Sequence, residues 1–244
     1  MKGPCVALVL MIKVERESAF VIHSRNYTDS RILLDVFTQN YGLVRAAYRP
    51  PKRKSYSIKP QAFTPLFVAF SGKSELKSIH QLEPSGNLLL PSGRRLYCGM
   101  YVNELVQRLL ATDDPQPDLF LAYFKCISQL AVCNEGEEDI VLRPFEFALL
   151  SELGYGLDFS VDLSGREIST DEACHYEFVV GQGFRLIYQN LKEAARQFSG
   201  SELCAIQQGD MSTIVTRNAS KRLCRLALRP LLGDKPLQSL ELFS

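Results

Sequence analysis

The chain has 244 residues, 46% of them apolar, and a net charge of +1, which is the ordinary make-up of a globular protein of one large or two modest domains. The small total hides an asymmetry: residues 1–80 carry 13 Lys+Arg against 5 Asp+Glu, net +8, and the remainder carries 15 against 22, net −7, which suggests two domains, one of which meets an anion. Seven cysteines (5, 98, 126, 133, 174, 204, 224) with no C-x-x-C exclude a zinc ribbon and argue against a secreted disulfide framework, so a reducing cytoplasm is expected.

At the N-terminus, Lys2 and an apolar run over residues 5–12 imitate the start of a signal peptide. The run falls far short of the roughly 18 residues a membrane span needs. No small-residue cleavage site follows it, and Lys13, Glu15, Arg16 and Glu17 come at once, so secretion is rejected. Two readings of residues 1–16 stay open: an extension ahead of a start at Met11, or a short extra β-strand.

Residues 19–24 read as a short strand, followed by the turn chemistry of Asn26-Tyr27-Thr28-Asp29. Residues 31–38 read as a second strand, with Ile32, Leu34, Val36 and Thr38 opposite Leu33, Asp35 and Phe37. Asn40-Tyr41-Gly42 turns the chain into a third strand over 43–48. Residues 41–60 then hold six cations and no acid, and Pro50 and Pro51 forbid a central strand there, so a strand delivers a basic loop to the surface. Such a loop is the footprint of a polyanion site; the alternative is a solvated charged loop. Strands over 62–70, weakened by Pro65, and over 75–80 complete a set of five. Five short meandering strands with a long connection between the third and fourth suggest a five-stranded Greek-key barrel of the OB-fold type.

The pattern then changes. A helix is expected from Pro91 or Ser92 to about Ala111, with Tyr97, Tyr101, Leu105 and Leu109 as its richer apolar stripe. A second, 118–131, has Leu119, Phe120, Tyr123, Phe124, Ile127 and Leu130 as its core face, and a third, 138–153, should bend or restart at Pro144. A small hairpin is expected near 176–188 around Gly181-Gln182-Gly183. A short helix begins at Ser201, and a long one begins at Ser212 or Thr213 and stops near Pro230 and Gly233. The expected fold class is therefore α+β: a barrel domain over 1–83 and a mainly helical domain with a hairpin over 84–244.

Several stretches line up with a known family. AFVIHSRNYTDSRILLDVFTQNYGLVR (19–45) and QAFTPLFVAFSGKSELKSI (61–79) resemble the barrel of the RecO recombination mediators. RRLYCGMYVNELVQRLL (94–110), LRPFEFALLSELGYGLDF (142–159) and GDKPLQSLELF (233–243) resemble its helical domain, most closely in the proteobacterial branch. The resemblance implies an N-terminal OB-fold and a helical C-terminal domain. It implies binding of single- and double-stranded DNA, annealing of complementary strands, and engagement of the acidic C-terminal tail of single-stranded-DNA-binding protein (SSB). It further implies cooperation with RecR in loading RecA, without nucleotide hydrolysis or cofactor, in the nucleoid-associated cytoplasm. Some members carry a four-cysteine zinc module after the third helix; here residues 155–190 hold only Cys174, so no zinc is expected.

Nucleic-acid binding needs cations at phosphate spacing and, for single strands, π-faces for bases. The barrel supplies Arg25, Arg31, Arg45, Arg49, Lys52, Arg53, Lys54 and Lys59, interleaved with Tyr27, Tyr41, Tyr48 and Tyr56. Any single tyrosine is more often structural, and Tyr48 and Tyr56, flanking the basic loop, are the stacking candidates. A second basic element lies on the last helix: Arg217, Lys221, Arg225 and Arg229 at spacing four, with Arg222 beside them. Its partner is either DNA or this domain's own acidic excess. For the SSB tail, a site needs an apolar pocket with a cation at its lip. Arg143 with Leu142 and Phe145 meets that need, and Phe147, Leu150 and Leu153 are candidate lining; the alternative is a core helix with a peripheral arginine.

Enzyme readings fare badly. His23, His80 and His175 are scattered, and neither a phosphate-binding G-x-x-x-x-G-K-[ST] nor a G-x-S-x-G elbow occurs. Glu135, Glu137, Glu138 and Asp139 imitate a metal-binding cluster but read as a solvated inter-helix loop. The sequence therefore points to a DNA-repair mediator. Its rivals are a protein-interaction adaptor whose basic loop meets an acidic protein, and a metal-dependent nuclease using the acidic cluster.

Overall fold

The structure is a computed structural model and describes residues 11–50, 60–89, 91–171, 173–188 and 194–241. Five strands close into a barrel in the order β1-β2-β3-β5-β4: β1 (Ile12–Thr28), β2 (Arg31–Thr38), β3 (Gly42–Tyr48), β4 (Leu66–Gly72) and β5 (Lys77–Pro84). All neighbours are antiparallel except β3 and β5, which pair in parallel from Ala46↔Lys77 to Tyr48↔Ile79. This is the five-stranded Greek-key closure expected of an OB-fold. Alternation sends Leu34, Val36, Val44, Ala46, Tyr48, Val68, Phe70 and Ile79 into one buried cluster. Residues 12–16 are the first part of β1, paired with β4 from Ile12↔Gly72, rather than a separate strand. The fourth strand starts at Leu66, after Pro65, because proline has no donor to give a ladder; Ala62 makes only an isolated bridge to Val21.

Helix α1 (Arg94–Leu109) buries Cys98, Gly99, Val102, Asn103, Leu105 and Val106. The tyrosine stripe expected from spacing is therefore rotated: Tyr97 and Tyr101 are only half-buried, because smaller side chains let the helix approach the barrel closely. A Cβ on Gly99 would stand 2.9 Å from the Phe63 ring. The Asn103 amide donates to the carbonyl of Ile22 at 3.2 Å, so a buried polar side chain satisfies a strand carbonyl. The connection after α1 is pinned to β3: the Asp113 N–H donates to the Leu43 carbonyl at 3.0 Å. Gly42, at φ 66°, passes so close to Asp114 that a Cβ would lie 1.9 Å from its carbonyl oxygen.

Two compact units result, residues 1–121 and 122–244, so the first takes in α1 as well as the barrel. Helix α2 (Pro117–Val132) straddles that boundary in sequence; Phe120 packs its ring 5.5 Å from Phe37 and 5.8 Å from Phe20. In the second unit, α3 (Glu138–Glu152) runs as one helix through an exposed Pro144, in place of the expected bend or restart. It packs on α5 (Ile214–Leu232), whose N-cap is Thr213, its Oγ1 accepting from the Thr216 N–H at 3.1 Å. A small sheet follows the order β7-β6-β8: β6 (His175–Val179), β7 (Gly183–Ile187) and β8 (Gln197–Ser199), the last preceded by a 3₁₀ turn over Ala194–Arg196. Strand β8 is too short to show an alternating pattern in sequence. Its neighbour α4 (Gly200–Gln207) opens with a capping box between Ser199 and Glu202. A last turn, α6 (Gln238–Glu241), ends the described chain.

Candidate nucleic-acid interface

The register of β1, β2 and β3 brings three arginines to one end of the barrel. With Leu34, Val36, Val44, Ala46 and Tyr48 inside, the alternate set Arg31, Leu33, Asp35 and Arg45, Ala47, Arg49 faces outward. Arg25 pairs with Leu33, and Leu33 with Ala47. The pairing Ile32↔Tyr48 carried one step further sets Arg49 across from Arg31. Arg25, Arg31 and Arg49 are all exposed, and among the described residues none has a hydrogen bond or an ion pair. Three unneutralised guanidinium groups within two rungs of one sheet repel each other, and an anion relieves that repulsion. Tyr27, at the tip of the same hairpin, is 50% exposed.

The other barrel candidates are placed differently. Arg45 is held by this domain's own carboxylates, 3.2 Å from both Asp35 and Glu75, so it is the least available of the four described arginines. Tyr48 is corrected: its ring belongs to the barrel core at 6% exposure, and burial pushes its phenol up from the ordinary value. The strand that delivers the basic loop turns Tyr48 inward, so it has no face to offer a base. Lys52, Arg53, Lys54, Tyr56 and Lys59 lie outside the described residues. Sequence reasoning favours the tyrosines beside the loop over Tyr27; the position of Tyr27 between Arg25 and Arg31 next to a turn is the signal that points to it.

The cations of α5 divide. Arg217 donates from Nε to the Met211 carbonyl at 2.7 Å, and Lys221 lies 3.4 Å from Asp139. Arg222 donates to the Gln197 carbonyl at 2.9 Å and covers the Phe198 ring with its guanidinium carbon 4.4 Å from the centroid. These three stabilise their own domain. Arg225 and Arg229 are exposed, with no ion pair among the described residues.

Arg143 is also corrected. It is no pocket lip: its side chain is 4% exposed and pairs with Glu146, itself 1% exposed, at 2.7 Å, with Asp139 at 3.8 Å. Burying a guanidinium requires a carboxylate partner, and helical spacing supplies one at i+3. Burial pushes the adjoining Cys224 thiol up, with the Glu146 charge adding to it. Leu142, Phe145 and Leu150 are buried core residues as well, whereas Phe147 is partly exposed. Phe147 lines a groove of about 460 Å³ with Val132, Ile140, Val141, Ile206 and Met211, and the exposed Lys125 is part of the same lining. An apolar groove with one exposed cation is thus present on this unit, but Lys125, not Arg143, carries the charge.

Three of the four acidic residues before and at the start of α3 are engaged locally. Glu137 accepts from the Asn134 backbone and amide, Glu138 from the Gly136 N–H, and Asp139 faces Lys221. No group of three or more metal-ligating side chains occurs among the described residues.

Comparison with known proteins covers nearly the whole chain. The family models described as "Recombination protein O N terminal" and "Recombination protein O C terminal" match residues 11–88 and 90–241. A protein of Haemophilus influenzae named DNA repair protein RecO is 40% identical over 234 residues, 94% of this chain and 96% of the relative. The proteins of that name from Sodalis glossinidius and Vibrio parahaemolyticus are each 39% identical over 229 residues, covering 93% of this chain and 86% and 92% of theirs.

Proposed function

The chain belongs to the RecO family of DNA repair proteins, and from that membership we propose that it is a recombination mediator that binds single- and double-stranded DNA at the Arg25–Arg31–Arg49 end of its barrel. The observation that carries the reading is that these three exposed arginines share one end of an OB barrel and, among the described residues, have no carboxylate partner. Phosphates are the partner that neutralises them, and OB barrels bind nucleic acid through strand faces and loops of this kind. The basic residues 52–54 and 59 follow Arg49 in sequence within ten positions. In this reading residues 1–83 are the nucleic-acid-binding domain, and Arg225 and Arg229 offer a secondary contact on 84–244. The bound strands are annealed, RecR assists, and RecA is loaded onto the product without a catalytic step by this chain, in the nucleoid-associated cytoplasm.

The SSB tail, acidic with a hydrophobic free C-terminus, fits the groove beside Lys125. Val132, Ile140 and Phe147 take the apolar end and the ammonium meets the carboxylate.

The test is a salt titration. Arg25→Ala with Arg31→Ala and Arg49→Ala should lower the log–log salt slope, by roughly 0.7 on single strands and roughly 0.9 on duplex for each phosphate left without its arginine. The fold should hold, because exposed charges contribute little to stability. An unchanged affinity and slope would remove DNA from this end of the barrel and favour the adaptor reading.

A further inference from the structure

The register of strand β1 against β2 shifts twice, each time by one extra residue in β1, and among the described residues only one of these bulges makes a contact beyond the sheet. Between Val21↔Val36 and His23↔Asp35 the extra residue is Ile22, which is buried and gives its carbonyl to Asn103. Between Asn26↔Ile32 and Thr28↔Arg31 the extra residue is Tyr27. A bulge leaves one residue unpaired, bends the strand and re-aims a side chain. Here it presents a large aromatic ring to solvent, 50% exposed, with no hydrogen bond, ring contact or cation–π pair among the described residues. Arg25 precedes it by two positions and Arg31 follows by four, on the face that also carries Arg49. The first bulge anchors α1; nothing among the described residues uses the second.

We infer that Tyr27 is a base-stacking residue that makes this end of the barrel prefer single strands over duplex. The inference rests on the proposed DNA-binding role of that end. The arginines meet phosphates in either form of DNA, so they supply no preference for the single strand. A π-face is different: it gains a partner only when a base has an uncovered face, which a single strand offers and a stacked duplex interior does not. Tyr27 therefore adds affinity that is insensitive to salt and specific to unpaired strands. Annealing removes it, because pairing covers the base faces. The product duplex is then held by the arginines alone, without the stacking contribution.

The experiment compares a single strand, an abasic strand of equal length and a blunt duplex, with wild type, Tyr27→Ala, Tyr27→Trp and the Arg25/Arg31/Arg49 triple alanine variant. Tyr27→Ala should weaken single-strand binding about tenfold, within the range for loss of one stacked base, leaving duplex and abasic affinities and the salt slope as in wild type. The abasic strand should bind wild type as weakly as the normal strand binds Tyr27→Ala. The chain has no tryptophan, so Tyr27→Trp introduces a single indole at the tip. It should restore affinity, and its emission should be quenched by the single strand and not by the duplex. Equal loss on single strand and duplex, or no loss with Tyr27→Ala while the triple variant loses binding, overturns the stacking role alone. Wild-type binding by the triple variant overturns the DNA-binding reading of this barrel end itself.

Discussion

The Lys77 ammonium donates to Asp113 Oδ2 at 2.7 Å from a side chain that is only 4% exposed. It also donates to the Ser74 carbonyl at 2.8 Å, so β5 holds the connection after α1 through a buried charge. Removing one partner of such a pair strands the other charge in a poorly solvated site. Asp113 has φ 60°, a conformation asparagine also tolerates, so Asp113→Asn removes the charge with little backbone strain. It should lower unfolding stability by about 3 kcal/mol, measured by chemical denaturation. A loss within error would show that the carboxylate charge is not what holds Lys77.

Arg143 should behave as a structural residue. Arg143→Ala leaves Glu146 buried, and should cost about 3–5 kcal/mol of stability. Adding Glu146→Leu should recover part of that loss, because an apolar pair needs no charge partner. Denaturation midpoints of the single and double variants decide it; a fully stable Arg143→Ala protein would return the residue to the binding candidates.

Groove variants should separate the two partners. Lys125→Ala is expected to weaken an acidic, hydrophobic-ended peptide by about 1.5–3 kcal/mol, the range for a hydrogen bond to a charged group. Phe147→Ala should also weaken it, with DNA affinity intact in both. Calorimetric titration of the peptide is the measurement, and unchanged peptide affinity in both variants would take the tail away from this groove.

Asp162 gives a pH signature. Burial acts to raise its pKa, but the Ser164 hydroxyl and the N–H groups of Arg166 and Ser164 outweigh it and hold the carboxyl below its ordinary value. A carboxyl depressed in the folded chain stabilises above its unfolded pKa, and that stabilisation is lost as pH falls through the folded one. Asp162→Asn should thus be less stable than wild type at pH 7, and the gap should shrink as pH drops below about 4. A gap that stays constant between about pH 7 and about pH 2 would mean the charge has no part in it.

The small sheet should need no metal. Phe184 packs 5.5 Å from Phe159, 5.7 Å from Phe178 and 6.5 Å from Phe198, an aromatic core of its own. Chelator should leave the melting temperature unchanged, whereas Phe184→Ala should cost about 3–5 kcal/mol. One zinc per purified chain by elemental analysis would defeat this expectation.

The five barrel strands, the first three helices, the hairpin and the Thr213 cap were legible in sequence because each rests on local physics: period-two or helical patterning, proline, and a hydroxyl before an apolar run. The charge asymmetry was equally legible, since it needs only counting. What sequence alone did not decide was which member of an alternating or periodic set turns inward. Tyr48 and Arg143 looked like binding residues because of what neighbours them in the chain. Closure of the barrel puts the Val44, Ala46 and Tyr48 face of β3 into the core, and the packing of α3 on α5 buries Arg143 against Glu146. Conversely, a one-residue bulge in β1, invisible in the composition of the segment, presents Tyr27 to solvent between two arginines. Registers and bulges are set by long-range strand pairing, and a one-residue slip moves a side chain to the opposite face. Sequence determined what kinds of residue this protein brings to its surface and core; tertiary structure decided which individual ones arrive there.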